Sequence, residues 1–464
     1  MNDTKRRIEI FSFFNQNGIR DHLEKMAQKG WMIEKLTNFG WIYRPIEPKK
    51  IRFAVSYYPK ASEFDPEPSE EQKTFHDFCA HTGWELACAS AQLQIFYNER
   101  ENPTPIETEP KLELEAIHAS AKKSFLPAYF VLLGISILQG VMFVSGLLGD
   151  PIGLLANPTR LFAGFCFPLC MALCLVELAC YFGWYSRARK AAAMGAFLNP
   201  PDTSNAQKAV LIALIISGGY YLVNTLFSGD PLRRWLVFLM CLIYPLVYML
   251  VNGVKEYLKR RKASKEINRA VTIASSFILT FVLMGLITFG TLRLSQNGFF
   301  ASADEETYTH RGMTWVIHHD ELPLTIEDLT DVEFDGYTRQ QSGDESLLLG
   351  KLDFQQRPRY DADDFARIPT LEYTMIVVKL PFLYDLCKNQ LLEKPGNTHE
   401  TMVQTYQRVP AEPWGCSDAY QLNDPEYGPR STYLLCYDHV IVEIQFDWEP
   451  TNEQKEIVGQ KLGV

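Results

Sequence analysis

Five long apolar runs, separated by short polar loops, constrain the fold of this chain more than any other feature. Each run is close to the ~20 residues that cross ~30 Å of hydrocarbon as a helix. The sequence therefore predicts a five-helix transmembrane bundle whose surroundings are the lipid bilayer. The predicted spans are 125–148, 161–185, 209–227, 235–254 and 270–292.

The loop 255–269 sets the predicted orientation, because it carries seven Lys or Arg against two Glu. Short cationic loops stay on the cytoplasmic side of a membrane. With the loop 185–208, this side holds eleven basic residues, against three on the other side. We therefore predict a multi-pass protein of the cytoplasmic (plasma) membrane, with a cytoplasmic N-terminus and an extracytoplasmic C-terminal domain. The third span is the weakest, because Gly218, Gly219 and Asn224 interrupt it.

Charge is segregated along the chain although the overall net charge is only -10. Residues 1–124 have a net charge of -2, residues 125–292 of +8 and residues 293–464 of -16. Neither soluble part is basic, and neutralising phosphates is what supplies most nucleic-acid affinity. The composition therefore excludes nucleic acid as the main partner.

Residues 1–100 contain a β-α-β-β pattern twice. The first copy has a strand over 7–14, a helix over 18–29 and two short strands; the second repeats this order from residue 51, with a helix over 70–81. A Gly-Trp pair, Gly30-Trp31 or Gly83-Trp84, ends each helix. The pattern predicts a cytoplasmic α+β domain with one antiparallel sheet of about six strands and two helices on one face. Residues 101–124 are predicted to form a linker and a juxtamembrane helix.

These N-terminal motifs resemble a known family. The segments LEKMAQKGWMIEKLTNFGWIYR, IRFAVSYYP and FHDFCAHTGWELACASAQLQIFYN are similar to the domain of unknown function 2812 (DUF2812), which precedes transmembrane helices in proteins of Gram-positive bacteria. The resemblance covers roughly residues 8–98. It implies a position before membrane spans and no known activity. The C-terminal part, in WGCSDAYQL and YLLCYDHVIVEIQFDWEPTNEQ, also resembles the outer portion of some of these proteins.

Residues 293–464 are predicted to form a separate α+β domain. A hairpin is expected around Asp438-His439, and the capping-box spacing of Thr451 and Gln454 predicts a helix over 452–462. A second helix is expected over 382–393. Further strands are expected at 314–318, 347–354, 372–379, 403–408, 432–437 and 440–446.

Two groups of side chains are candidate sites. Aromatic residues of the N-terminal domain would form a ligand or partner docking surface if they lie on the open face of its sheet; otherwise they form its core. This set is Trp31, Trp41, Tyr43, Trp84 and Phe96. In the second span, four cysteines and a glutamate fall within an arc of about 120° of the helix. This set is Cys166, Cys170, Cys174, Glu177 and Cys180.

The cysteine set has two interpretations. Thiolates in a dry site suit Cu(I), and a carboxylate inside a membrane is often functional. Alternatively, the cysteines pack as small apolar residues, while Glu177 is neutral, reaches the interface, or bonds to the neighbouring helix that carries Tyr220, Tyr221 and Asn224. The second interpretation is favoured, because no second ligand cluster accompanies the first. No resident metal or cofactor is therefore predicted.

No catalytic motif such as HExxH or GxSxG occurs, and His318 and Asp320 make an incomplete metal set. We therefore predict a non-enzymatic signalling or regulatory membrane protein, with a protein partner that is a regulator or a transporter subunit. The alternatives are an accessory subunit of a transporter, and a metal-handling protein or enzyme that uses Glu177 and the cysteines. A Cys416–Cys436 disulfide is left open.

The topology gives a first testable prediction. Reporters that are active only in the cytoplasm should be inactive when fused after Gln296 and after Val464, because an odd number of spans precedes both points. The same reporter fused after Glu101 should be active. Cytoplasmic activity at both C-terminal points would contradict the predicted topology.

Overall fold

The computed structural model describes residues 4–37, 39–227, 231–296, 299, 306–311, 313–332, 334–361, 368–393 and 404–463. The chain divides into two compact units. The first unit comprises Met1–Gln139 and Cys166–Thr291, and the second comprises Gly140–Phe165 and Leu292–Val464.

The first unit begins with the N-terminal domain. In its described residues, six strands form two separate antiparallel sheets of three strands each, in the orders β1-β3-β2 and β4-β6-β5. The elements are β1 (Lys5–Arg7), α1 (Gln16–Gln28), β2 (Trp31–Thr37), β3 (Gly40–Pro45), β4 (Arg52–Tyr57), α2 (Glu70–His81), β5 (Glu85–Ser90), β6 (Leu93–Asn98) and α3 (Pro110–Lys123).

The prediction of one six-stranded sheet is wrong, and the reason lies in the two strands that would have joined. Strands β2 and β5 lie side by side but share no ladder. Each contains an irregularity, between Ile33 and Lys35 in β2 and between Leu86 and Cys88 in β5. A bulge leaves a residue unpaired and increases the local twist, so it ends pairing at a sheet edge. Both irregularities follow the Gly-Trp pair at the same distance, so the duplicated sequence folds as a duplicated structure.

The Gly-Trp pairs end their helices as predicted. Gly30 has a φ of +81° and Gly83 a φ of +89°, which is the left-handed conformation that glycine adopts without strain. The backbone N–H of Gly30 donates to the carbonyl of Ala27 at 3.0 Å, and that of Gly83 to the carbonyl of Ala80 at 2.9 Å.

Five helices of the described residues are long and apolar enough to cross a membrane, by length and composition. They coincide with the five predicted spans and extend beyond them. In the most apolar 18-residue stretch of each helix, between 0 and 17% of the residues are buried within the chain. Most side chains of these stretches are therefore available to contact lipid. The helices are α4 (Phe125–Gly149), α6 (Pro158–Ala193), α7 (Ser204–Phe227), α8 (Pro231–Arg260) and α9 (Lys265–Gln296).

The described residues of the second unit contain a seven-stranded antiparallel sheet and a separate hairpin, β7-β8. The strand order in the sheet is β12-β13-β14-β15-β11-β10-β9. The elements are α5 (Pro151–Ala156), β7 (Glu306–His310), β8 (Met313–Ile317), α10 (Ile326–Leu329), β9 (Tyr337–Glu345), β10 (Leu349–Pro358), β11 (Leu371–Val378), α11 (Tyr384–Glu393), β12 (Thr405–Val409), β13 (Asp418–Asp424), β14 (Gly428–Cys436), β15 (Val440–Phe446) and α12 (Asn452–Leu462).

The predicted strands and helices of this unit are present, and the hairpin β14-β15 turns at Asp438-His439 as expected. Residue 403, the first of one predicted strand, lies outside the described residues. The sequence analysis missed α5, β7, β9, β13 and α10. Strand β9 reads YTRQQSGDE and β13 reads DAYQLND, so neither has the apolar alternation of a half-buried strand.

Both faces of the large sheet are covered. Val442 and Ile444 of β15 pack in the core that includes Val458 of α12, whereas Ile441 packs in a second core. That second core contains Ile152 and other residues of α5. The loop that follows the first predicted span is therefore an integral part of the C-terminal fold. Polar contacts add to this: Ser346 Oγ donates to the Leu155 carbonyl at 2.7 Å.

Gly459 of α12 gives a stability prediction for this unit. A Cβ at this position would lie 2.2 Å from the carbonyl oxygen of Trp414, which is backbone and cannot rotate away. The change Gly459→Ala should therefore destabilise the unit by about 1–3 kcal/mol, despite a helix-propensity gain of about 1 kcal/mol.

The measurement uses the full-length protein in detergent. The temperature at which the buried thiols of Cys387 and Cys436 become alkylated, resolved by peptide mass spectrometry, should fall. Gln460→Ala is the matched control, because Gln460 is an exposed neighbour in the same helix. An unchanged or higher temperature for Gly459→Ala would contradict the packing argument.

Candidate functional site: a buried carboxylate between the N-terminal segment and two long helices

Glu177 of α6 is fully buried, with 0% of its surface exposed. Its carboxylate accepts hydrogen bonds from Ser12 Oγ, at 3.1 and 2.9 Å, and from Gln207 Nε2, at 2.8 Å. Gln207 Nε2 also donates to Ser12 Oγ at 2.9 Å. Ser12 belongs to the segment before α1, and Gln207 belongs to α7. The site therefore joins three parts of the first unit around one carboxylate.

Thr203 completes the site through a short contact between its hydroxyl and that of Ser12. A serine hydroxyl has a single proton, and the Ser12 proton is directed at Glu177. Thr203 is therefore the donor in its contact with Ser12. We refer to Ser12, Glu177, Thr203 and Gln207 as the Glu177 network.

The chain reaches this network because residues 8–14 are not a strand. The prediction of a strand over 7–14 is wrong, because the strand β1 is Lys5–Arg7 and the segment after it buries Ser12 and Phe14 instead. Asn15 then caps α1: its Oδ1 accepts from the Gly18 N–H at 2.9 Å, and its own N–H donates to the Ser12 carbonyl at 3.0 Å. Ser12 is consequently held at a fixed place relative to the first turn of α1.

An aromatic cluster fixes the same segment beside the network. The Phe14 ring is fully buried and contacts the rings of Phe125, Tyr181 and Trp184 at centroid distances of 5.8, 5.3 and 5.6 Å. Tyr57 OH donates to the Phe13 carbonyl at 2.5 Å. Rings at these distances are worth about 0.5–1.5 kcal/mol per pair beyond their burial.

The network is sensitive to any loss of a partner. In the described part of the chain, Glu177 is bonded by neutral donors, Ser12 and Gln207. A buried carboxylate depends on such bonds, since removing one partner costs about 1–3 kcal/mol, and more when the group is charged. A movement of the N-terminal segment that removes Ser12 therefore destabilises the contact between α6 and α7, because Glu177 loses a donor.

A cleft of about 360 Å³ lies next to the start of α1 in the N-terminal domain. Its walls come from α1, β4, the 103–107 linker and α3. Glu107 accepts a bond from Ser56 Oγ at 2.5 Å, and Glu113 accepts one from Gln16, the first residue of α1. Burial raises the pKa of both Glu107 and Glu113. The cleft is therefore formed partly by α1, which Asn15 connects to Ser12 of the Glu177 network, and α3 leads from the cleft to α4.

The predicted aromatic docking residues are mostly core. Tyr43 and Phe96 are fully buried, so a ligand on the surface does not reach them, whereas Trp84 is 4% exposed and lines the cleft. Trp31 and Trp41 are partly buried and pack against the same core as Tyr43.

The cysteine set does not form a cluster of ligands. Cys174 is buried, and Cys166, Cys170 and Cys180 are partly exposed along α6. Among the described residues, no group of three His, Cys, Asp or Glu side chains is placed to hold a metal ion. Glu177 bonds to the helix named from the sequence, α7, but through Gln207 rather than through its aromatic or asparagine residues.

In the second unit, the candidate groups have structural roles. The His318 carbonyl accepts from the Arg339 N–H at 2.7 Å, and Asp320 Oδ2 accepts from the Gln341 N–H at 2.7 Å. Both therefore attach their segment to β9. Cys416 and Cys436 are free thiols, and burial raises the pKa of Cys436 to about 11.

Sequence reasoning identified Glu177 but missed Ser12, Thr203 and Gln207. The one available signal is that polar residues flank the predicted third span on its N-terminal side, in PPDTSNAQK. Nothing in the sequence connects them to Ser12, which is separated from Glu177 by 165 positions.

The five long apolar helices indicate the class of the protein, a multi-pass membrane protein. Residues 15–129 match the family model described as "Protein of unknown function (DUF2812)", which confirms the resemblance seen in the motifs. The match includes the cleft, α3 and the start of α4. Comparison with curated proteins gives no match, and neither does comparison with solved structures.

The cleft glutamates predict how stability depends on pH. Because their pKa values are raised above the ordinary 4.5, the folded state holds protons that the unfolded state has released. The free energy of unfolding should therefore fall as the pH rises through the raised pKa values of Glu107 and Glu113. It should reach its lower level once both groups are ionised.

We expect the double variant Glu107→Gln, Glu113→Gln to remove this slope. The measurement is the thermal midpoint of the full-length protein in detergent, taken by scanning calorimetry between about pH 5 and pH 8. Glu47→Gln, at an exposed position of the same domain, is the control. Parallel pH profiles for the wild type and the double variant would refute the assignment.

Proposed function

We propose that this protein is a non-enzymatic signalling or regulatory membrane protein. In this proposal, the N-terminal domain binds a ligand or a protein partner, and its state is transmitted to the membrane helices through the Glu177 network. The partner would be a regulator or a transporter subunit.

The observation that carries this proposal is the burial of Glu177 with donors from two other parts of the chain. A carboxylate in an apolar helix is costly, and such residues usually serve a function. Here the cost is offset only while Ser12 and Gln207 stay in place. An event that moves α1 would move Ser12 with it, because Asn15 connects the two. That dependence is what a coupling element requires.

Contacts within the first unit support a cytoplasmic N-terminal domain. Glu63 Oε2 lies 3.2 Å from Lys255 Nζ, and Glu67 Oε1 lies 2.8 Å from Lys262 Nζ. Asn268 Nδ2 donates to the Phe64 carbonyl at 3.1 Å. The N-terminal domain therefore shares a side with the cationic loop 255–269, the loop that the positive-inside rule places in the cytoplasm.

The coupling is tested with Glu177→Gln in the full-length protein. The amide keeps the shape of the side chain but replaces one acceptor oxygen by a donor, so that the Ser12 hydroxyl, which bonds both oxygens, loses an acceptor. Hydrogen–deuterium exchange should increase in residues 8–19 and 203–210, and also in the cleft segment 103–113. Glu47→Gln is the matched carboxylate-to-amide control and should leave all three segments unchanged.

The function is tested by affinity purification from native membranes in mild detergent. A regulator or a kinase that is recovered with the wild type and altered in yield with Glu177→Gln would support signalling. Recovery of a transporter would identify the protein as an accessory subunit. A partner whose yield is the same with both proteins would contradict a role for the network.

A further inference from the structure

A crevice of about 530 Å³ runs between α8 and α9 in the first unit. Its apolar wall includes Met240, Val247, Val251 and Met284, and its other end is at Lys255. The distance along α8 from Met240 to Lys255 is about 22 Å at 1.5 Å per residue. The crevice is therefore long, narrow and apolar, with a cation at one end.

The charged end is closed by the N-terminal domain. The Lys255 side chain is only 15% exposed, and its Nζ lies 3.2 Å from Glu63 Oε2. Asn268 Nδ2 donates to the Phe64 carbonyl at 3.1 Å and to the Lys255 carbonyl at 3.4 Å. The Lys255 ammonium group is thus already paired with an anionic oxygen of the chain itself, that of Glu63.

The size of the crevice selects its occupant. A helix about 10 Å wide would need on the order of 1,700 Å³ over this length, several times the space present. A single extended hydrocarbon chain needs far less, and the volume falls in the range of small-ligand sites. No side chain of α8 is buried among the described residues, so the walls of the crevice are not filled by neighbouring helices.

The positive charge at the Lys255 end of the crevice favours an anionic headgroup. Lys255 begins the stretch 255–269, with its seven basic and two acidic residues. Basic sites between membrane helices on the cytoplasmic side bind anionic lipid headgroups, and each basic residue near the surface contributes about 1 kcal/mol.

We propose that the crevice binds one anionic phospholipid, with an acyl chain between α8 and α9 and the phosphate at Lys255, where it competes with Glu63. The proposal depends on α8 and α9 being membrane spans. It does not depend on the Glu177 network, so its test is independent of the proposed function. Lipid binding would release Glu63 and Phe64, and so loosen the N-terminal domain from the loop 255–269.

The competition predicts variants of opposite sign. Native mass spectrometry of the full-length protein in detergent, titrated with phosphatidylglycerol, should show one retained lipid per chain. Lys255→Gln should weaken retention by about fivefold, which corresponds to the contribution of one basic residue. Glu63→Gln should strengthen retention, because it removes the competing carboxylate. Thr280→Trp, which fills the crevice without touching Lys255, should abolish retention.

Lys259→Gln is the matched control, because Lys259 is on the same helix but does not line the crevice, and its charge is paired with that of Glu256 at 3.5 Å. Phosphatidylcholine tests the charge requirement and should be retained less well than phosphatidylglycerol. Equal retention of the two lipids, equal effects of the two lysine variants, or weaker retention by Glu63→Gln would each overturn the proposal. A co-purifying protein whose helix occupies the crevice in place of the lipid would overturn it as well.

Discussion

The first unit depends on one interaction more than on any other, the burial of the Glu177 carboxylate against Ser12 and Gln207. A carboxylate in an apolar helix must find donors, and α6 alone offers none in the described structure. The chain satisfies it because residues 8–14 leave the sheet and place Ser12 against α6 and α7. The same conformation buries Phe14 among Phe125, Tyr181 and Trp184. Polar and apolar contacts thus fix the N-terminal segment together.

This arrangement gives the N-terminal domain two separate attachments within its unit. One is the Glu177 network, which is buried and contacts α6 and α7. The other consists of Glu63, Phe64 and Glu67 on the cationic loop, where the ion pairs are partly exposed and therefore weaker and sensitive to salt. In the proposals made above, the lipid acts on the second attachment and the first attachment continues to hold the domain.

Much of the fold was readable from the sequence because it rests on local patterns. The apolar runs predicted all five long helices, and α2, α12 and β15 have the bounds expected from their caps and alternation. The family resemblance likewise rested on local motifs and is confirmed over residues 15–129. What failed was pairing between distant segments. The repeats predicted one sheet, but the bulges at Glu34 and Ala87 split it into two. Strands β9 and β13 lack apolar alternation, so pairing with β10 and β14, rather than a pattern of their own, places them in the sheet.

The candidate site shows the same division. The sequence by itself determined that Glu177 lies in an apolar helix and needs a partner, because composition and helical period are local properties. Only the tertiary structure decided that the partners are Ser12, Thr203 and Gln207, and that Tyr43 and Phe96 are core rather than surface. It also decided that α5, a short run in a predicted loop, belongs to the core of the C-terminal sheet. In each case the deciding energy comes from burial and hydrogen bonds between residues far apart in the chain, which no local pattern encodes.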